Sequence, residues 1–121
     1  MENLNELEIA KAYEGKPYII EKVRKIATGT LTGATFYSRR IVQRYGHMIG
    51  ITDEIFEKWW DDGIHVLVFM EFDDESQTIK SCEFVKEKWI DMDGGIKHSR
   101  LTPTQEDLII FQNAMEFITT N

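Results

Sequence analysis

The stretch that decides the fold is Ile64-His65-Val66-Leu67-Val68-Phe69-Met70-Glu71-Phe72. Ile64, Val66, Val68, Met70 and Phe72 share one face at the two-residue period of a strand, because successive side chains of an extended chain point to opposite sides. Leu67 and Phe69 occupy the other face, between His65 and Glu71. A strand apolar on both faces is covered on both, so 64–72 reads as mostly buried and central. Asp73-Asp74-Glu75-Ser76 follows as a turn, and 77–90 returns as a long second strand. Asp93-Gly94-Gly95 makes a second turn, and 96–100 a short third strand. The expected sheet is antiparallel, with two to three strands at about 64–72, 77–90 and 96–100.

Helices flank this sheet. Thr52 is placed to cap a helix whose first turn carries Asp53 and Glu54, near the positive end of the helix dipole. Ile51 and Phe56 have the spacing of a hydrophobic staple, and Gly63 stops the helix after Asp62. Beyond the sheet, Thr102-Pro103-Thr104-Gln105 opens a last helix, with Thr102 as the expected cap and Pro103 in the first position. Its residues Leu108, Ile109, Ile110, Phe111, Ala114, Met115, Phe117 and Ile118 are apolar nearly all the way round. Such a helix is sandwiched inside the fold or shared with a second subunit.

At the other end, Asn5 caps a helix over 6–13, with Glu8 three residues on, Leu4 and Ile9 as a staple, and Gly15 beyond its end. Residues 17–27 read as helix from Ile19, Ile20, Val23, Ile26 and Ala27, although Tyr18 and the β-branched residues also suit a strand. Thr28-Gly29-Thr30-Leu31-Thr32-Gly33 breaks the pattern. Residues 34–45 resume a helical face with Ile41, Val42 and Tyr45, and Gly46 stands at the capping position. The fold class is α+β: N-terminal helices, an antiparallel sheet and a C-terminal helix packed on it or at a subunit interface.

At 121 residues, 1–121 is expected to be one compact domain. Hydrophobic residues make up 42% of the chain, which argues for a packed core over disorder. A single cysteine, Cys82, excludes an intrachain disulfide and any thiolate-rich zinc or iron–sulfur site. The longest apolar runs, 66–70 and 108–111, fall far short of the ~20 residues that cross a bilayer. MENLNELEIA carries no basic region ahead of an apolar stretch, so no signal peptide is expected and the reading is cytoplasmic, with no membrane partner.

Charge is segregated within a formal total of −7. Residues 16–45 hold Lys16, Lys22, Arg24, Lys25, Arg39, Arg40 and Arg44 against Glu21 alone. Residues 53–75 hold Asp53, Glu54, Glu57, Asp61, Asp62, Glu71, Asp73, Asp74 and Glu75 against Lys58 alone. A net-acidic chain is repelled by nucleic acid at long range, which speaks against direct nucleic-acid binding. Either the two blocks meet on folding, or the acidic one awaits a basic partner.

No constellation for catalysis, a metal or a cofactor emerges. His47, His65 and His98 lack metal-ligand spacing on any one element, and His65 and Glu71 stand about 20 Å apart along a strand. Cys82 falls within a strand, near only Lys80 and Lys86, which reads as a small core residue and not as an activated nucleophile. Asp91-Met92-Asp93-Gly94-Gly95 begins like a calcium loop, but Gly95 and Thr102 stand where its fifth and twelfth ligands belong, so it reads as an acidic turn.

Two stretches carry binding chemistry. Residues 28–44 combine the glycines and hydroxyls of Thr28, Thr30 and Thr32 with Tyr37, Arg39, Arg40 and Arg44, a composition suited to a phosphate. It matches neither a Walker A motif nor a dinucleotide fingerprint. Residues 55–62 set Trp59 and Trp60 beside Asp61 and Asp62. Adjacent helical residues are rotated by about 100°, so when one ring faces the core the other cannot share its depth.

The residues admit two function classes. The first is a small acidic, non-enzymatic inhibitor of another protein, of the immunity, antitoxin or phage counter-defence type. Trp59, Trp60, Asp61, Asp62, Asp73, Asp74 and Glu75 would meet a basic surface there, such as that of a nucleic-acid-processing enzyme. The alternative is a homo-oligomer that binds a phosphorylated small molecule or nucleotide through residues 28–44.

Overall fold

Five strands, Thr28–Thr30 (β1), Gly33–Thr35 (β2), Ile64–Asp73 (β3), Thr78–Met92 (β4) and Gly95–Leu101 (β5), form one antiparallel sheet in that spatial order. The computed structural model describes residues 3–26, 28–30, 33–35, 44 and 46–121. Around the sheet lie helices α1 (Glu6–Tyr13), α2 (Ile20–Ile26), α3 (Asp53–Asp61) and α4 (Gln105–Thr119), with a 3-10 turn at Gly46–Ile49. The architecture is α+β, as the hydrophobic periods require. No helix among the described residues is long and apolar enough to cross a membrane.

β3 is central because it pairs on both sides, with β2 through Ala34↔Met70 and with β4 from Ile64↔Lys88 to Asp73↔Thr78. Its inward face buries Val66, Val68, Met70 and Phe72, which pack beside Ile79, Cys82 and Phe84 of β4. α4 lies against this layer and buries Leu108, Ile110, Phe111, Ala114, Met115 and Ile118, with the Phe84 and Phe111 rings 5.6 Å apart. Each such side chain contributes about 1.5–3 kcal/mol of burial. α4 is thus sandwiched within the fold: α1 supplies Ile9 and Tyr13, α2 Val23 and Ile26, and the 3-10 turn Ile49 to the same core.

The helix starts follow from their caps. Asn5 Oδ1 accepts from the Glu8 backbone N–H at 3.2 Å, and Thr52 Oγ1 from that of Ile55 at 3.2 Å. For α4 the cap stands two residues later than the sequence pattern suggests. Thr104, not Thr102, accepts from Asp107 N–H at 3.1 Å, and the Asp107 carboxylate accepts from Thr104 N–H at 2.8 Å. That reciprocal box wins because Asp107 is held a second time, by Lys86 Nζ at 2.7 Å.

The sheet also exceeds the expected two to three strands. β1 and β2 come from the threonine–glycine stretch read as a break, and they join the sheet through β3. Residues 20–26 are helical, so the first part of the ambiguous segment settles as α2. The expected helical face over 34–45 lies largely outside the described residues, and Gly46 opens the 3-10 turn instead of closing a helix.

The sheet is uneven at one end. β3 stops pairing with β4 at Ile64↔Lys88, whereas β4 and β5 continue to Met92↔Gly95. Beyond Lys88 the sheet therefore narrows to a two-stranded ribbon closed by Asp93-Gly94, where Gly94 adopts φ 99°.

Candidate functional site

The two adjacent tryptophans separate as helix geometry demands. Trp59 is 6% exposed and packs in the core, which removes it from any partner surface; Trp60 is 50% exposed. Beside Trp60 stand Glu57, Asp61 and Asp62, all exposed. The α3 register sets this arrangement: Phe56 and Trp59 point inward, and Trp60, one residue on, is turned out with its ring 6.3 Å from that of Phe56.

Asp73, Asp74 and Glu75 do not join that patch. They occupy the β3–β4 turn, whereas Asp61 and Asp62 precede the first residue of β3. A ten-residue strand separates the two groups by about 30 Å. Asp73 is also engaged in shaping its turn, its Oδ1 accepting from the N–H groups of Glu75 at 3.0 Å and Ser76 at 3.3 Å. The sequence therefore named two acidic surfaces at opposite ends of the sheet.

All nine acids of 53–75 are exposed, and among the described residues none forms an ion pair. The ion pairs present are Lys86–Asp107 and Arg100–Glu83, each at 2.7 Å, and His98–Glu87 at 3.5 Å. No pair between described residues joins the acidic block to the basic segment 16–45. Of the phosphate-type candidates, Thr32, Tyr37, Arg39 and Arg40 lie outside the described residues, Thr28 and Thr30 fall on β1, and Arg44 is exposed.

A second cluster went unread in the sequence because its members come from three strands. On the sheet face opposite the core, Trp89 is stacked between two imidazoles: His65 at 3.7 Å between centroids and His98 at 4.6 Å. Trp89 Nε1 donates to Glu87 Oε2 at 3.1 Å, the oxygen that also faces His98 Nδ1. Pairings His65↔Glu87 and Trp89↔His98 create this group, and only the sheet register reveals it. With the indole between them, the two imidazoles cannot converge on one ion. No group of three or more His, Cys, Asp or Glu among the described residues is placed to hold a metal. Burial lowers the His65 pKa, with Glu87 opposing and His98 reinforcing the shift.

The remaining chemistry is structural. Cys82 is buried, its thiol pushed up to about 11 by burial and the nearby Glu14, so it is a protonated core residue and no nucleophile. Asp91 and Asp93 sit on the ribbon as turn residues. A cavity of about 210 Å³ beside Trp59 is lined by Lys86 and Asp107, which already satisfy each other.

The fold and this surface define an α+β protein with an acidic, tryptophan-bearing end and no assembled catalytic group among the described residues. No family model matches the chain, and neither does any curated protein or solved structure.

Proposed function

We propose that this is a small acidic, non-enzymatic binding protein that inhibits a partner protein in the cytoplasm, of the immunity, antitoxin or phage counter-defence type. The observation that carries the reading is the exposed acidic block. Nine carboxylates remain without ion pairs among the described residues, and a half-exposed indole, Trp60, stands among three of them. A rigid aromatic ring is a common anchor of protein interfaces, and surrounding acids steer a basic partner onto it.

Because the acids fall at two ends of the sheet, only one end meets the partner. The Trp60 end has an anchor and the Asp73–Glu75 turn has none, so the site reduces to Trp60, Asp61 and Asp62. The expected outcome is that Asp61→Lys with Asp62→Lys abolishes partner capture and Asp73→Lys with Asp74→Lys leaves it intact. Pull-down from the native host followed by titration with the captured protein reads this, with circular dichroism confirming the fold of each variant. Unchanged affinity in the Asp61/Asp62 variant would sink the reading.

A further inference from the structure

The exposed apolar side chains are concentrated at one place. Trp60, Trp89, Ile90, Met92 and Ile96 are all exposed, Met92 at 56% and Ile96 at 55%. All but Trp60 belong to the projecting β4–β5 ribbon, and Trp60 is two backbone hydrogen bonds away from it. Gly63 N–H donates to Trp60 O at 3.3 Å, and Trp89 N–H donates to Gly63 O at 2.9 Å. The α3 terminus and the root of the ribbon are therefore one continuous surface.

Strand alternation divides the ribbon. Ile90 and Met92 lie on the same face of β4 as Phe84 and Lys86, the side that carries the core layer and on which α3 packs. Trp89 lies on the opposite face with its two imidazoles. Ile90 and Met92 therefore share a side of the sheet with Trp60.

We propose that the α3 terminus and the β4–β5 ribbon form one docking surface for a basic protein, with Trp60, Ile90 and Met92 as its apolar centre and Asp61, Asp62, Asp91 and Asp93 at its rim. This deepens the inhibitor reading and rests on it. Size supports the extension, since a stable interface buries about 800 Å² on each partner, more than the end of one helix offers. Charge selects the occupant. The four carboxylates outnumber Lys88 and Lys97, and the whole chain carries −7. A second copy would bring those carboxylates against their own counterparts about a two-fold axis, which costs free energy, whereas a basic surface answers them. An apolar ribbon left in water is otherwise a liability that proteins cover.

Site-specific photo-crosslinking tests the surface. The photoreactive residue p-benzoylphenylalanine is introduced at position 60, at position 92 and, as a remote control, at position 74 of the full chain in its native cell. Crosslinked peptides are then sequenced by mass spectrometry. The surface predicts that positions 60 and 92 attach to the same protein, both within net-basic segments, and that position 74 does not. In addition, Ile90→Lys with Met92→Lys should reduce the yield from position 60 by about tenfold while the circular dichroism spectrum stays native. Crosslinks from 60 that persist undiminished while 92 is silent would overturn the ribbon but leave the inhibitor reading standing. Attachment of 92 to another copy of this chain, or to an acidic segment, overturns the proposal as well. Silence at both 60 and 92 with capture at 74 would overturn both.

Discussion

Lys86 and Asp107 bring together two charges that are almost out of water, with side chains 11% and 4% exposed, at 2.7 Å. The Asp107 carboxylate performs two tasks, since it also closes the capping box of α4 on Thr104 N–H. Asp107→Ala therefore strands a buried ammonium and uncaps a helix, and a loss of about 3–5 kcal/mol is expected. Lys86→Met removes only the cation and puts a flexible apolar chain beside Trp59 and Ile64. The carboxylate keeps its cap, so this change should cost less than half as much. Urea denaturation of the two variants decides the matter, and equal losses would show that the ion pair adds nothing to the cap. The sequence offered the threonines and an acid near the start of α4, but Lys86 lies 21 residues away and its approach to Asp107 exists only after β4 and α4 pack. That long-range contact sets the cap at Thr104, and no local pattern carries it. Cys82 was legible because burial of a small side chain follows from its place in a strand.

Gly63 joins α3 to β3 in a conformation, φ 68°, that side chains rarely adopt. A Cβ there would meet the backbone oxygen of Trp89 at 3.0 Å, an atom that cannot step aside. Gly15 has a similar φ of 80° at the end of α1, yet nothing stands within 4 Å of its added Cβ. Gly15→Ala should thus cost only the conformational term, about 1–2 kcal/mol. Gly63→Ala should cost more and loosen the Gly63–Trp89 hydrogen bond that holds the ribbon root. Thermal melting ranks the pair, and a smaller loss for Gly63→Ala would refute the steric argument. Most elements were readable in the sequence because their signals are local: Asn5 and Thr52 cap α1 and α3, and the two-residue alternation of 64–72 made β3. The hairpin of β1 and β2 was not. Its strands have three residues each, and its place in the sheet depends on Met70 and Phe69, more than thirty residues on. The indole stack of Trp89 escaped for the same reason, since register between strands creates it.

Across the whole molecule, several buried or bonded groups resist the change of charge that the unfolded chain accepts, and this bounds the stable pH range from both sides. Burial lowers the pKa of His65 below its ordinary 6.5, so the native state holds that ring neutral where the unfolded chain takes up a proton. The native state then binds fewer protons than the unfolded one, and stability falls as pH drops below about 6.5. Glu116 acts in the same direction at lower pH. Hydrogen bonds from Tyr13 and Thr120 hold its pKa below 4.5, and the stability they confer is lost as pH falls through that lowered value. On the alkaline side the unfolded chain ionises Cys82 near 9.0, while the native thiol keeps its proton to about 11. Stability therefore declines as pH rises between those values, by an amount on the order of 2 kcal/mol. Tyr13, pushed upward by burial and then by its bond to Glu116, adds to that decline above pH 10. Chemical denaturation across pH should show a plateau from about 6.5 to 9 with a loss on each side. Cys82→Ala should flatten the alkaline decline between 9 and about 10, where Tyr13 has yet to contribute. His65→Gln should lower the plateau by unstacking one face of Trp89, yet reduce the fall between about pH 6.5 and 5, because glutamine has no proton to gain. An acid limb in His65→Gln as steep as that of the parent would assign the loss to other groups and remove His65 from the account.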